Sequence, residues 1–418
     1  MPHVAGRERF DLLYRLSSSF NSTLDFEEVL NRVIDEIIAA LHAERGFVML
    51  LESSGEFVFR VARGIDRQTI LDPQANVSLS VVRKVVSEGN PILTNDAQED
   101  GRFNARRSII SLGLRSILCV PLSIKAQPFG VVYIDNRSQS GIFTQDDLEL
   151  LNAIAASAAI AIENARLYQV SVEKGRMERE LQIAHQMQVS LLPKAIPQPP
   201  GWKFSAFWQP ARQVAGDYYD FIPIDDRRLG LVIADVTDKG VPASFFMAIS
   251  RTILRTCTRQ YNSPLEIITA ANRQVCAEST SGYFITLFFA QLDLLSGELS
   301  YVNAGHPPPL LHPGPLPQDL VPLTRTGLPL GIDESWVYEQ RQVILSPGSL
   351  LVCYTDGITE AMNLRQEEFG FERLKKVVAD QAAAGSDAMV TAIQQAVGGW
   401  VGSTEQHDDI TLLLAHRE

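Results

Sequence analysis

Apolar residues first recur at helical spacing at Phe26, Val29, Leu30, Val33, Ile34, Ile37, Ile38 and Leu41, which predicts an amphipathic helix. Asp25 and Glu28 supply a capping box at its start, and Gly46 reads as its end. The apolar run Phe47–Leu51 then predicts a buried strand. Strand-like runs return at Glu56–Ala62, Ser116–Ile124 and Gly130–Ile134, with helical segments between them. Gln127-Pro128-Phe129-Gly130 reads as a hairpin turn, because Pro and Gly are turn formers. Together these elements predict an α+β unit from Arg7 to Arg166.

From Gln145 to Leu192 the pattern is helical throughout. Reading in sevens from Ile160 puts Ile160, Glu163, Leu167, Val170, Lys174, Met177, Leu181, Ala184, Gln188 and Leu191 at seam positions. Most are apolar, which predicts a parallel coiled coil joining two chains as a homodimer. A single amphipathic helix packed on its own domain is the alternative. Lys174 beside Gly175 weakens the middle of the seam. Pro193, Pro197, Pro199, Pro200 and Gly201 close the helix.

Beyond Trp202 the period changes again. Short β-like runs lie at Lys203–Trp208, Leu229–Val236, Tyr283–Leu292, Glu298–Val302, Pro309–Leu311, Gln342–Leu345, Ser349–Tyr354 and Ile410–Leu414. Helical patterns lie at Pro242–Gln260, Leu265–Glu278, Phe371–Val378 and Asp387–Val397. Turn signals such as Ser296-Gly297 and Pro347-Gly348 favour antiparallel pairing.

Composition narrows the class. A chain of 418 residues sets a prior of two or three domains, and 45% hydrophobic with 21% charged residues is ordinary for a globular protein. The formal net charge of -12 argues against a bulk grip on nucleic acid or anionic lipid. Cys119, Cys257, Cys276 and Cys353 are far apart in apolar surroundings and read as core residues. No basic segment followed by an apolar run opens the sequence, and Ala153–Ile162 is short of the roughly 20 residues of a spanning helix. A cytoplasmic protein with neither nucleic acid nor membrane as partner is expected.

The chemistry concentrates in the third part. Four acidic clusters stand at or beside the ends of apolar strands: Gly216-Asp217-Tyr218-Tyr219-Asp220, Asp235-Val236-Thr237-Asp238, Tyr354-Thr355-Asp356-Gly357 and His407-Asp408-Asp409-Ile410. Asp is short and hard, and several at one sheet edge suit Mg²⁺ or Mn²⁺ in oxygen shells. Without cations, carboxylates so gathered would repel one another and retain protons. Taken singly, Asp220 and Asp238 read as turn or cap residues.

The segments Ala215–Asp220, Ala234–Ala243, Asn303–Leu311, Tyr354–Ala361 and His407–Leu412 resemble the serial motifs of SpoIIE/RsbU-type phosphatases, the bacterial branch of the metal-dependent (PPM, type 2C) protein phosphatases. Glu180–Gln188 and Leu191-Leu192-Pro193 resemble the helix that precedes this domain in RsbU-like proteins. The resemblance implies an αββα sandwich with two Mn²⁺ or Mg²⁺ ions at one edge. Carried over by position, Asp235 bridges the ions and the Val236 carbonyl binds the second. Asp356 and Asp408 complete the other shell, Asp409 being the alternative to Asp408, and Asp217 ligates or holds a bound water. The implied reaction is hydrolysis of phosphoserine or phosphothreonine on a protein, by in-line attack on phosphorus. The expected substrate is a phosphorylated STAS-domain anti-sigma-factor antagonist in partner-switching signalling. His306 and His407 read as structural groups rather than general acids. Asp238 and Ala215 both stand where the family more often has Gly.

The first part resembles a GAF domain through Leu122, Gly130–Asn136 and Phe143–Asp147, which implies an antiparallel sheet with flanking helices. That similarity implies regulation by a ligand whose identity the residues do not give. Asn136-Arg137 with Phe143 and Asp147 resembles part of the signature of cyclic-nucleotide-binding members. The resulting organisation is 1–165 as GAF sensor, 166–195 as helical linker and 196–418 as phosphatase. Two other readings stay open at this point, a catalytically weak phosphoprotein-binding scaffold and a cyclic-nucleotide sensor.

Overall fold

The computed structural model describes residues 2–52, 54–64, 66–71, 77–94, 115–138, 140–279, 282–314 and 320–418. Its contacts divide the chain into two units, Met1–Met177 and Glu178–Glu418.

The first unit is built on one antiparallel sheet. Its strands are β1 (Arg45–Leu51), β2 (Phe57–Gly64), β3 (Ile92–Thr94), β4 (Ser116–Ile124) and β5 (Gln127–Asn136), in the order β2-β1-β5-β4-β3. The helices Phe26–Leu41 and Gln145–Leu191 bury one face, through Val33, Ile37, Leu151 and Ile162 packed on Val48 and Val132. The helix Leu79–Glu88 buries the other, through Val81 and Val85 on Phe47 and Tyr133. The long helix contains a stretch of mean hydropathy 1.3, apolar enough by composition to cross a membrane, and half of that stretch is buried inside the protein.

Two local expectations are corrected here. The first concerns the helix after Asp25, whose carboxylate accepts the Glu28 N–H at 2.8 Å as predicted. It ends at Leu41, with His42 in the left-handed region at φ 50°, and not at Gly46. Gly46 lies within β1, where a Cβ would come 2.7 Å from the Ile34 side chain. Its small size lets the helix lie on the strand. The second concerns the β4–β5 hairpin, which turns at Lys125-Ala126, both at positive φ (50° and 62°). Successive positive φ values suit a tight two-residue hairpin. Pro128 and Gly130 sit inside β5.

The second unit has four layers. One sheet runs β13-β10-β9-β8-β7, with β7 (Tyr218–Pro223), β8 (Arg228–Val236), β9 (Ile285–Asp293), β10 (Glu298–Ala304) and β13 (Arg341–Ile344). The other runs β12-β11-β14-β15-β6, with β6 (Trp202–Gln209), β11 (Leu310–His312), β12 (Val321–Pro322), β14 (Leu350–Tyr354) and β15 (Ile410–Arg417). Pairings in both sheets are antiparallel. Phe204, Leu231, Phe288, Leu351 and Leu413 fill the space between the sheets. The helices Val241–Gln260 and Pro264–Glu278 cover the first sheet, and Phe371–Gln381 and Ser386–Val401 the second.

β7 was not anticipated as a strand, because Asp220 interrupts its apolar pattern. Asp220 is fully buried and paired with Arg255 at 2.6 Å and Arg251 at 3.2 Å, both on the helix Val241–Gln260. It anchors that helix rather than serving the acidic edge. Gln188 is also reassigned. Heptad spacing assigns it to an intermolecular seam, yet it is buried within the second unit, where its amide donates to the Ala215 carbonyl (2.7 Å) and accepts the Ala215 N–H (3.0 Å).

Candidate metal centre

Strand register brings the acidic residues together. Tyr218 pairs with Ala234 across the β7–β8 hairpin, so Asp217 and Asp235 stand side by side at its open end. In the other sheet Tyr354 pairs with Leu412, which places Thr355 and Asp356 beside Thr411 and the Asp408-Asp409 pair. Face-to-face packing of the sheets then joins the two ends. Asp217, nearly fully buried, accepts hydrogen bonds on Oδ2 from the hydroxyls of Thr355 (2.7 Å) and Thr411 (2.8 Å), both of the opposite sheet. Its backbone carbonyl accepts the Trp208 indole N–H at 3.0 Å.

The adjacent aspartates have different tasks. Both oxygens of Asp409 accept backbone N–H groups, of Ala211 at 2.7 Å and Gly216 at 2.8 Å. It ties down the loop that leads into Asp217, so of the two expected candidates it is the one already engaged in structure. Asp408 pairs through Oδ2 with Lys239 Nζ at 2.9 Å, and the same ammonium donates to the His407 carbonyl at 2.7 Å. The chain after Asp356 passes close to this pair: a Cβ on Gly357 would come 2.0 Å from the Asp409 carbonyl oxygen, which leaves only glycine room there.

Charge at this edge is poorly compensated. Burial, then the neighbouring charges of Asp235 and Asp409, push the Asp217 carboxyl well above the usual carboxylate range, although the Thr355 and Thr411 hydroxyls oppose the shift. Burial and the Asp356 charge push Asp235 up to about 8. Asp356 is raised by burial and by Asp408, with Lys239 opposing. A rise of this kind measures how much the ionised form lacks a counter-charge. Oxygen-only donors in that condition fit hard divalent cations. Among the described residues no group of three or more Asp, Glu, His or Cys side chains stands in an arrangement that would by itself hold a metal ion.

His306 stands apart from this chemistry. It is fully buried, with Nδ1 2.9 Å from the Thr286 hydroxyl, and burial lowers its pKa to about 3. Burial thus holds it neutral, and its Nε2 is buried without a hydrogen-bond partner. Sequence reading missed Thr355, Thr411, Lys239 and Gln188. The first three lie within the quoted acidic motifs, but nothing in one sequence separates a hydroxyl or ammonium that orients a carboxylate from one that faces solvent.

Residues 225–418 match the family described as stage II sporulation protein E (SpoIIE), and residues 25–162 match the GAF domain family. The second unit is a SpoIIE-type phosphatase domain of the PPM class, and the first is a GAF domain. Protein IcfG of Synechocystis is 31% identical over 59% of this chain and 43% of its own length. Phosphoserine phosphatase RsbU of Bacillus subtilis is 29% identical over 58% of this chain and 71% of its own. The chain thus spans less than half of IcfG. The SiaA-PP2C domain of Pseudomonas aeruginosa shares the fold at a TM-score of 0.53 and 18% identity, over 59% of this chain and 98% of that one. The SpoIIE-type assignment accounts for the four-layer architecture and for carboxylates at one sheet edge.

In the GAF domain the residues that resembled a cyclic-nucleotide signature have structural partners. The Asn136 side chain accepts the Glu44 N–H at 2.6 Å, Asp147 accepts the Thr144 N–H at 2.8 Å, and Phe143 is buried in the core. Asp135 is fully buried and paired with Arg45 at 2.6 Å.

Proposed function

We propose that the chain is a divalent-cation-dependent phosphoserine/phosphothreonine protein phosphatase whose activity the GAF domain regulates. The observation that carries this reading is the convergence of buried Asp217 with Asp235, Asp356 and Asp408, of which Asp217, Asp235 and Asp356 are raised above the usual carboxylate range. Asp235, the Val236 carbonyl, Asp356 and Asp408 would hold two Mn²⁺ or Mg²⁺ ions, with Asp217 as a further ligand or the holder of a bound water. Such ions supply Lewis-acid stabilisation of phosphoryl charge and ionise water near neutral pH. The protein's own part is orientation. Thr355 and Thr411 fix the Asp217 carboxylate, Asp409 fixes the loop before it, and Lys239 holds Asp408.

The substrate in this reading is a phosphorylated STAS-domain antagonist of an anti-sigma factor, and the cellular setting is cytoplasmic partner switching. Similarity to RsbU, named a phosphoserine phosphatase, supports the phosphoserine part of this reading. A homodimer through the long helix is supported by Leu167, Val170 and Met177, which lie at seam spacing and are more than half exposed. Gln188 supplies the route from that helix to the loop of Asp217.

The test is phosphate release from a phosphoserine protein with and without Mn²⁺. Asp235→Ala and Asp356→Ala should each abolish it while the circular dichroism spectrum is unchanged. Full activity in either variant, or activity indifferent to chelation, overturns the reading.

A further inference from the structure

One cavity in the second unit touches the acidic edge directly. Its volume is about 470 Å³, within the range of pockets that take small organic groups. Lys239, Gly357 and Asp408 form one end, and Ile358, Val397 and Leu412 contribute apolar wall beyond them. Glu360 and Glu405 also line it. A group occupying this space would therefore rest on apolar side chains while its neighbour lay at the carboxylates.

The helix Ser386–Val401 contributes an unexpected residue to the wall. Gly398 lines the cavity and is followed by Gly399 in the same last turn. Glycine is the poorest helix former after proline, so two in succession need a reason. Helix termination does not supply one, because Gly402 already caps the helix at φ 62°. Packing does not supply one either: a Cβ at Gly398 or Gly399 would meet no neighbour within 4 Å. At Gly398 the missing side chain is what keeps the cavity open. The Thr404 hydroxyl, in the same wall, is buried without a partner.

We infer that this cavity is a specificity pocket that receives a bulky apolar side chain next to the phosphorylated residue of the substrate. The inference rests on the phosphatase reading above. The cavity shares Lys239 and Asp408 with the candidate metal centre, so residues flanking a phosphoserine held there are the groups that can reach it. Glu360 and Glu405 disfavour an acidic side chain in the same space, by like-charge repulsion.

The 418-residue chain is assayed with Mn²⁺ on p-nitrophenyl phosphate and on three phosphoserine peptides whose flanking residues are Leu, Gly or Asp. The expected order of kcat/KM is Leu over Gly by at least tenfold, with Asp poorest. Gly398→Leu should erase the Leu preference and leave p-nitrophenyl phosphate turnover unchanged, whereas Gly399→Leu, which adds the same side chain outside the cavity, should keep it. Equal turnover of the three peptides, or a preference that survives Gly398→Leu, overturns the inference and leaves the phosphatase reading standing. A Gly398→Leu effect confined to p-nitrophenyl phosphate overturns it in favour of a small-effector site. No turnover of any substrate removes the phosphatase reading and this pocket's role with it.

Discussion

The Thr355 hydroxyl donates to Asp217 Oδ2 at 2.7 Å, a bond from the end of one sheet to a carboxylate at the end of the other. The same hydroxyl oxygen accepts the Thr411 N–H at 3.0 Å, and the Asp409 carbonyl is a second, longer acceptor for its proton at 3.4 Å. Thr411 adds a second hydroxyl at 2.8 Å. Relative placement of the two sheets and orientation of this acid are therefore one and the same constraint.

Thr355→Val should lower Mn²⁺-dependent phosphate release by about 10- to 100-fold, the usual effect of losing a group that orients a ligand. Thr355→Ser keeps the hydroxyl and should recover most of the activity. Mn²⁺ titration by calorimetry provides a second readout, in which Thr355→Val weakens binding and Thr355→Ser does not. A Val variant with wild-type affinity and turnover would show that Asp217 needs no orienting partner.

Gln188 connects the end of the long helix to the same acid, two residues upstream. Its amide meets both the N–H and the carbonyl of Ala215 in a buried setting. Gln188→Leu leaves those backbone groups unpaired and should cost about 1–3 kcal/mol of stability. The four tryptophans, at 202, 208, 336 and 400, all belong to the second unit, so urea unfolding followed by their fluorescence reads that unit alone. Phosphate release should fall by more than the folded fraction does, because the Asp217 loop loses its support. An unchanged midpoint would remove Gln188 from this role.

Most strands of the second unit were legible because their apolar runs are buried on both faces and bounded by turn residues. β7 was not, since its buried Asp220 depends on Arg251 and Arg255, some thirty residues further along. The β4–β5 turn was misplaced because Lys125 and Ala126 carry no signal for positive φ, whereas Pro128 and Gly130 do signal a turn and lie in a strand instead. The acidic edge could be read from four motifs, but the division of labour between Asp408 and Asp409 could not. It follows from which backbone N–H groups the loop 211–216 presents.

Asp238 shows why a family glycine was expected at its position. Its φ is 74°, in the left-handed region, where Asp and Asn are tolerated far better than branched residues. Its carboxylate also accepts the Lys239 N–H at 2.8 Å. Asp238→Val should destabilise the second unit by about 1–2 kcal/mol, while Asp238→Asn and Asp238→Gly stay near wild type. Equal unfolding midpoints for Val and Asn would mean that the loop relaxes out of this conformation.

His306 gives the second unit an acid sensitivity opposite in sign to that of the raised carboxyls Asp217, Asp235 and Asp356. Burial holds it neutral, with a folded-state pKa of about 3, and the nearby Arg325 charge acts the same way. In the unfolded chain it titrates near its ordinary value of 6.5. Between those two values the imidazole holds its proton only in the unfolded chain, so the stability due to His306 rises with pH through the window and is lost as pH falls below about 6.5. From pH 7.5 to 5.5 the loss from this one group is about 1.4 kcal/mol. His306→Asn can still hydrogen-bond to Thr286 but cannot titrate, so from pH 7.5 to 5.5 its stability relative to wild type should rise by about 1.4 kcal/mol, the carboxyls contributing equally to both proteins. Urea midpoints at the two pH values, read by tryptophan fluorescence, give the comparison. Parallel changes in the two proteins would mean that the imidazole gains its proton without unfolding.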